Sequence, residues 1–323
     1  WPSPLEVLVA DDCGGPVSAA TVVASFSNGD PPLLLASLGN GLYVGTWRPV
    51  TARDQVLVTV RAESPPLEGV QLRSQVQVRP NPSVPALSAG GIVNAASYAA
   101  GEPVAPGGII AVFGRNLAQG ENRASRLPLE KTLGGATLNI GGIEAPLYFS
   151  TEGQINAQVP FELAPNTRPH VVVRTARDGG AQLLTLPETI TVAAARPAIF
   201  AVNEQGFGPG AILNQDFSAN SASNPAVRGS VIQVFATGLG STQPAVPSGQ
   251  PAPASPLARV AVAVEARIGD RPARVDFAGL APSFVGLYQV NVEIPAEILP
   301  GSAVPLVLYQ GGVPSNTVTL AIQ

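Results

Sequence analysis

Apolar and polar residues alternate with period two along most of this chain. That is the pattern of strands with one face in a core and the other wet or hydrogen-bonded. It is clearest in Gln154-Ile155-Asn156-Ala157-Gln158-Val159-Pro160 and in Gln289-Val290-Asn291-Val292-Glu293-Ile294-Pro295. In each, amides or a carboxylate line one side and aliphatics the other. The closing proline has no N–H to give, so pairing stops there.

The same alternation predicts strands through residues 1–80. Leu5, Val7 and Val9 alternate with Glu6, Leu8 and Ala10, and Val22, Ala24 and Phe26 give a second core face. Asn40-Gly41, both tolerant of positive φ, predicts a hairpin leading into Leu42–Trp47. Val56, Val58, Val60 and Ala62 form another core face, with Val70, Leu72, Val76 and Val78 in the last strands. Short strands with turn chemistry between them predict a β-sandwich. Alternating prolines at 80–85 favour an extended backbone, so residues 81–91 are expected to be a linker.

Beyond the linker the chain repeats itself. Gly107–Leu117 matches Gly229–Leu239 at an offset of 122, Ile140–Phe149 matches Ile268–Phe277 at 128, and the Gln-x-Asn strands match at 135. Neither copy shows a 3.6-residue period. The expected architecture is therefore all-β: three tandem immunoglobulin-like β-sandwich domains at residues 1–80, 92–197 and 228–323. Residues 198–227 are expected to be a bridging hairpin, with Gly210–Leu213 a short strand and Asn214–Ser218 its turn. Residues 241–256, rich in Pro, Ala and Ser, are expected to be a mobile loop.

Composition narrows the function classes. Charged residues make up 12%, against roughly 25% in soluble domains, so the surface is unusually neutral or partly covered. Seventeen of the 18 basic residues are Arg, the net charge is -4 and no basic stripe occurs. No nucleic acid partner is expected. No apolar run approaches the ~20 residues of a membrane-spanning helix. Met is absent even at position 1. A signal peptide, a larger N-terminal part or a cloning boundary is therefore expected before Trp1.

Candidate chemistry is sparse, and no cofactor is expected. The only histidine, His170, opens a strand-like run without the acid that a nucleophilic relay needs. Gly206-Phe207-Gly208-Pro209-Gly210 lacks the following helix of a phosphate-binding loop and reads as a turn. Asp11, Asp12, Asn28 and Asp30 are loop oxygens that form a weak calcium candidate if they share one end of the first sandwich, against ordinary turn chemistry. Cys13, the only cysteine, is a candidate intermolecular cross-link in a Gly-rich turn. The amides of Gln154, Asn156, Gln289 and Asn291 could recognise a sugar. Their shared strand position favours a fold role, satisfying backbone groups where sheets meet loops.

Several ordered motifs also carry a family resemblance. They include Val93-Asn94-Ala95-Ala96-Ser97-Tyr98, Pro106-Gly107-Gly108, Gln154-Ile155-Asn156, Asn224-Pro225-Ala226, Ala236-Thr237-Gly238-Leu239-Gly240 and Gly286-Leu287-Tyr288-Gln289-Val290-Asn291. On these, residues 92–323 resemble the Solibacter-type C-terminal domain family of secreted acidobacterial proteins, and each half resembles the IPT/TIG immunoglobulin-like fold. The first 80 residues resemble bacterial immunoglobulin-like surface domains. The resemblance implies a secreted, non-catalytic location and brings no catalytic residues. Taken together, the expectation is an extracellular structural protein, a cell-surface rod or self-assembling filament subunit. The alternative is an adhesion or polysaccharide-binding module of a larger secreted protein, with an aromatic platform drawn from Trp1, Trp47, Tyr43 and Tyr309. A glycosidase would need two placed carboxylates, and no acidic pair is set in that way.

Overall fold

The computed structural model describes residues 3–51, 53–78, 84–176 and 182–323. Strands, turns and irregular segments account for all of them, with no helix among the described residues. The chain divides into two compact units, Trp1–Pro82 and Ser83–Gln323.

The first unit is a sandwich of seven strands: β1 (Ser3–Leu8), β2 (Thr21–Phe26), β3 (Leu33–Leu34), β4 (Ala36–Gly39), β5 (Leu42–Trp47), β6 (Arg53–Ser64) and β7 (Leu67–Val78). One sheet runs β1-β5-β4 and the other β3-β2-β6-β7. Val22, Ala24, Phe26 and Val56 to Ala62 at every second position fill the core, as the alternation predicts, and Tyr43 and Trp47 join them. Val70 and Leu72 depart from it. They face inward, opposite Ala62 and Val60, yet are 61% and 63% exposed. The reason is strand number. A three-stranded sheet lies over a four-stranded one, so the inner face of β7 has no cover along much of its length.

The second unit holds both repeats. The first repeat comprises β8 (Ala86–Asn94), β9 (Ile109–Arg115), β10 (Asn122–Arg123), β11 (Thr132–Leu133), β12 (Ala136–Ile140), β13 (Ile143–Glu144), β14 (Leu147–Ser150), β15 (Gln154–Gln158), β16 (His170–Ala176), β17 (Gln182–Leu184) and β18 (Glu188–Thr189). Its sheets run β10-β14-β15-β9-β8 and β11-β12-β16-β17. The second comprises β19 (Ala198–Ile199), β20 (Ile212–Leu213), β21 (Val231–Thr237), β22 (Thr242–Gln243), β23 (Arg259–Val260), β24 (Val264–Ile268), β25 (Arg271–Ala273), β26 (Val275–Leu280), β27 (Tyr288–Glu293), β28 (Gly301–Gln310), β29 (Val313–Pro314) and β30 (Val318–Ile322). Its sheets run β19-β21-β27-β26-β23-β22 and β25-β24-β28-β29. Each repeat has its own aliphatic core.

Three expectations change. Residues 86–91, expected in the linker, belong to β8, where Ala86 and Leu87 pair with Arg115 and Gly114. Residues 81–83 of that linker lie outside the described residues. Residues 198–227 are not a separate bridging hairpin but part of the second sandwich. Their β19 and β20 both pair with β21, and Ile199, Ala201, Ile212 and Ala226 sit in the second core. The register explains this segment: Ile92 pairs with Val112 as Ile212 pairs with the equivalent Val234, and Leu87 with Gly114 as Ile199 with the equivalent Ala236. One opening strand, bulged in the first repeat, is split by a long loop in the second. The second repeat therefore begins near Ala198, not at 228.

The third change concerns 241–256. Val246 and Ala252 are buried. The Ser248 hydroxyl accepts the Phe161 N–H at 2.8 Å and donates to the Glu162 carboxylate at 2.7 Å. The Gly249 N–H meets the Gln158 side-chain oxygen at 2.7 Å, and its carbonyl accepts the Leu129 N–H at 2.9 Å. Proline and alanine remove the polar side chains that would keep a loop solvated, and here they let it lie flat against the first repeat.

Candidate functional site

The strand-borne amides lie within a larger construction that each repeat carries once. In the first, Gln154 Nε2 donates to Asn156 Oδ1 at 2.7 Å; in the second, Gln289 Nε2 donates to Asn291 Oδ1 at 2.8 Å. Asn156 pairs across the ladder with Phe149, and Asn291 with Phe277. A guanidinium covers each ring, Arg123 at 4.8 Å and Arg259 at 4.9 Å from the centroid. The amides thus bond each other and not the backbone, as had been expected of them; Gln158 takes that backbone role. The arginines escape sequence reasoning, because loops of different length carry them to the same ring.

In the first repeat this cluster borders a cleft of about 620 Å³, closed on the far side by the start of the second repeat. Tyr98, Arg123, Phe149, Phe200 and Glu204 line it with the two amides. Burial, then the nearby Glu204 carboxylate, pushes the Tyr98 phenol up. Beside the cleft the repeats are fastened together. Tyr148 Oη donates to the Val285 carbonyl at 2.8 Å, the Ile109 N–H donates to Thr237 Oγ1 at 2.8 Å, and Thr237 donates on to the Gly286 carbonyl at 3.0 Å. Gly286 sits at φ +58°, and a Cβ there would lie 2.8 Å from the Gly107 carbonyl. Val285 and Gly286, in the longer loop that raises the repeat offset from 128 to 135, thus supply part of the joint.

The calcium candidate does not converge. Asp11 Oδ1 accepts the N–H groups of Cys13 and Gly15 in its own turn, and Asp11 and Asp12 border a recess near Ala20, ahead of β2. Asn28 and Asp30 follow β2, so its length separates the pairs by roughly 17 Å or more. Asp30 is buried and spoken for: Trp47 Nε1 donates to it at 3.0 Å and Asn28 Nδ2 at 2.9 Å. No group of three or more metal-ligating side chains occurs among the described residues.

The expected aromatic platform does not form either. Trp47 is buried, stacked on Phe26 with centroids 4.3 Å apart. Tyr43 is buried, its hydroxyl accepting the Ala20 N–H and donating to the Val17 carbonyl. Tyr309 is half-buried, and Trp1 lies outside the described residues. His170 is exposed, its Nδ1 3.1 Å from the Thr189 hydroxyl. Gly206–Gly210 is a turn whose Gly206 carbonyl accepts Asn316 Nδ2. Cys13 is exposed and free.

No family model and no curated protein matches the chain. Solved structures do. A Bacteroides ovatus surface glycan-binding protein of a mixed-linkage glucan utilization locus, in complex with a heptasaccharide, is 11% identical with a TM-score of 0.32, covering 99% of this chain and 64% of its own. Invasin, a bacterial integrin-binding protein, is 13% identical with a TM-score of 0.22, over 99% of this chain and 56% of its own. An endo-fucoidan hydrolase of glycoside hydrolase family 107 is 10% identical with a TM-score of 0.18, over 100% and 42%. This chain thus spans less than two thirds of each. A glycan-binding protein, an integrin-binding protein and a hydrolase stand side by side at these scores, so the likeness carries no ligand or activity over to it.

Proposed function

We propose that this chain is a non-catalytic extracellular structural protein, a surface rod or filament subunit that associates with copies of itself. The observation that carries the reading is the joint of the second unit. Thr237, Tyr148, Ser248 and Gln158 spend their polar atoms holding one sandwich against the next. Such groups resist bending and do no chemistry. The low charge content suits a surface that is covered in an assembly. Electron microscopy of native material tests it: ordered polymers or multimers are expected, and strictly monomeric particles at high concentration would overturn it.

A second reading has its own observation, the cleft of Tyr98, Phe149 and Phe200 beside the Gln154–Asn156 amides. Rings and amides together suit a polysaccharide. Binding on a glycan array, lost in Arg123→Ala and Tyr98→Ala with melting unchanged, would favour it over the structural one.

A further inference from the structure

The first sandwich is open along one side. There β1 ends one sheet and β7 ends the other, each paired on one edge only among the described residues. A groove runs between them. One cavity of about 530 Å³ sets Ser3–Val7 against Leu72–Val78, and a second of about 300 Å³ sets Val9–Asp12 against Ser64–Val70. The two edges are therefore antiparallel across the groove.

Both edges present free backbone groups at identifiable residues. The Val9 N–H bonds the Gly41 carbonyl, so the odd residues of β1 face β5 and those of Glu6 and Leu8 face outward. The Leu57 carbonyl accepts the Ser27 N–H, so the odd residues of β6 face β2 and its even residues face β7. The even residues of β7 answer them, which leaves the N–H and C=O of Gln71, Arg73 and Gln75 without a partner among the described residues along the rim.

We propose that a second copy of this chain closes the groove, its β7 pairing antiparallel with β1 of the first and the reverse, about a two-fold axis parallel to the strands. This rests on the self-associating structural reading and names the surface it would use. One register satisfies the side-chain and backbone constraints together, except that Gln75 falls opposite Pro4, which has no N–H to give. With Glu6 opposite the second copy's Arg73, Val7 meets Leu72 and Val9 meets Val70, all inward. Leu8 meets Gln71, outward, and the free N–H and C=O groups of Glu6 and Leu8 face those of Arg73 and Gln71. The register also needs no axial slide, because Ser3–Val7 already lie level with Leu72–Val78. Neither Glu6 nor Arg73 has an ion-pair partner among the described residues, and in this pairing each gains one. The product is two continuous sheets, each joining the three-stranded sheet of one copy to the four-stranded sheet of the other. Val70 and Leu72 are then covered, and neither β1 nor β7 is an edge.

The test uses the full chain with Cys13→Ser. In Glu6→Cys with Arg73→Cys, oxidation should give a covalent dimer on non-reducing gels, since directly opposed residues of a hydrogen-bonded pair lie about 5.5 Å apart, within disulfide reach. Leu72→Lys should abolish association in sedimentation equilibrium yet melt like the dissociated wild type at low concentration, because that side chain is exposed in the single copy. Glu6→Arg should weaken association about tenfold, and adding Arg73→Glu should restore it. Association that survives Leu72→Lys, with no cross-link in the double-cysteine variant, would overturn this interface and leave the self-associating reading standing. A wild-type chain that stays monomeric at all concentrations would overturn both.

Discussion

At the residue scale, the oxygen-rich residues of the first sandwich illustrate how a ligand-like side chain becomes structural. Asp30 is buried and accepts from the Trp47 indole, the Asn28 amide and the backbone of Val50 and Thr51. Asp30→Ala leaves those donors unpaired and should cost about 2–3 kcal/mol in urea unfolding followed by Trp47 fluorescence. In the second unit, burial raises the phenols of Tyr148 and Tyr288, and Tyr288 donates to the Gly240 carbonyl. Below the unfolded phenol value of about 10, both states hold these protons and stability is indifferent to them. Above it, the unfolded chain releases protons that the fold keeps, so stability falls as pH rises. Alkaline unfolding of the wild type should therefore be steeper than that of Tyr288→Phe. Equal slopes would remove Tyr288 as a cause.

At the scale of elements, alternation predicts which face of a strand looks inward, and it does so correctly for β2, β6, β15 and β27. It does not say whether anything lies opposite. Val70 and Leu72 obey the pattern and stay wet, because cover depends on how many strands the facing sheet has. Loops are read less well still. The segment 241–256 looks mobile by composition and is a clamp by contact, and the long loop before the strand Ile212–Leu213 hides its match to Ile92 and Val93 of the first repeat. The insertion around Gly286 holds the repeats together at a positive φ against the Gly107 carbonyl. Gly286→Ala should cost about 1–2 kcal/mol and expose the 241–256 loop to proteolysis. A fully protected loop would mean that Ser248 and Gln158 alone fasten the joint.

For the whole molecule, three cores need not unfold as three domains. The repeats share hydrogen bonds through Thr237, Tyr148, Ser248 and Gln158, and Phe161 of the first packs against the core of the second. Calorimetry should accordingly resolve two transitions, one for each compact unit, with the repeats melting together. Three separable transitions would show the joint to be weak.

The sequence by itself determined the β class, the duplication and the inward faces of β2, β6, β15 and β27. These follow from period-two alternation, which is local, and from matching blocks, which need no coordinates. Only the tertiary structure decided that Asp30 is a buried hydrogen-bond acceptor, that a Pro-rich loop fastens two sandwiches and that β7 stands uncovered beside β1. Each depends on residues far apart in the chain, and on whether a second layer reaches far enough to cover the first.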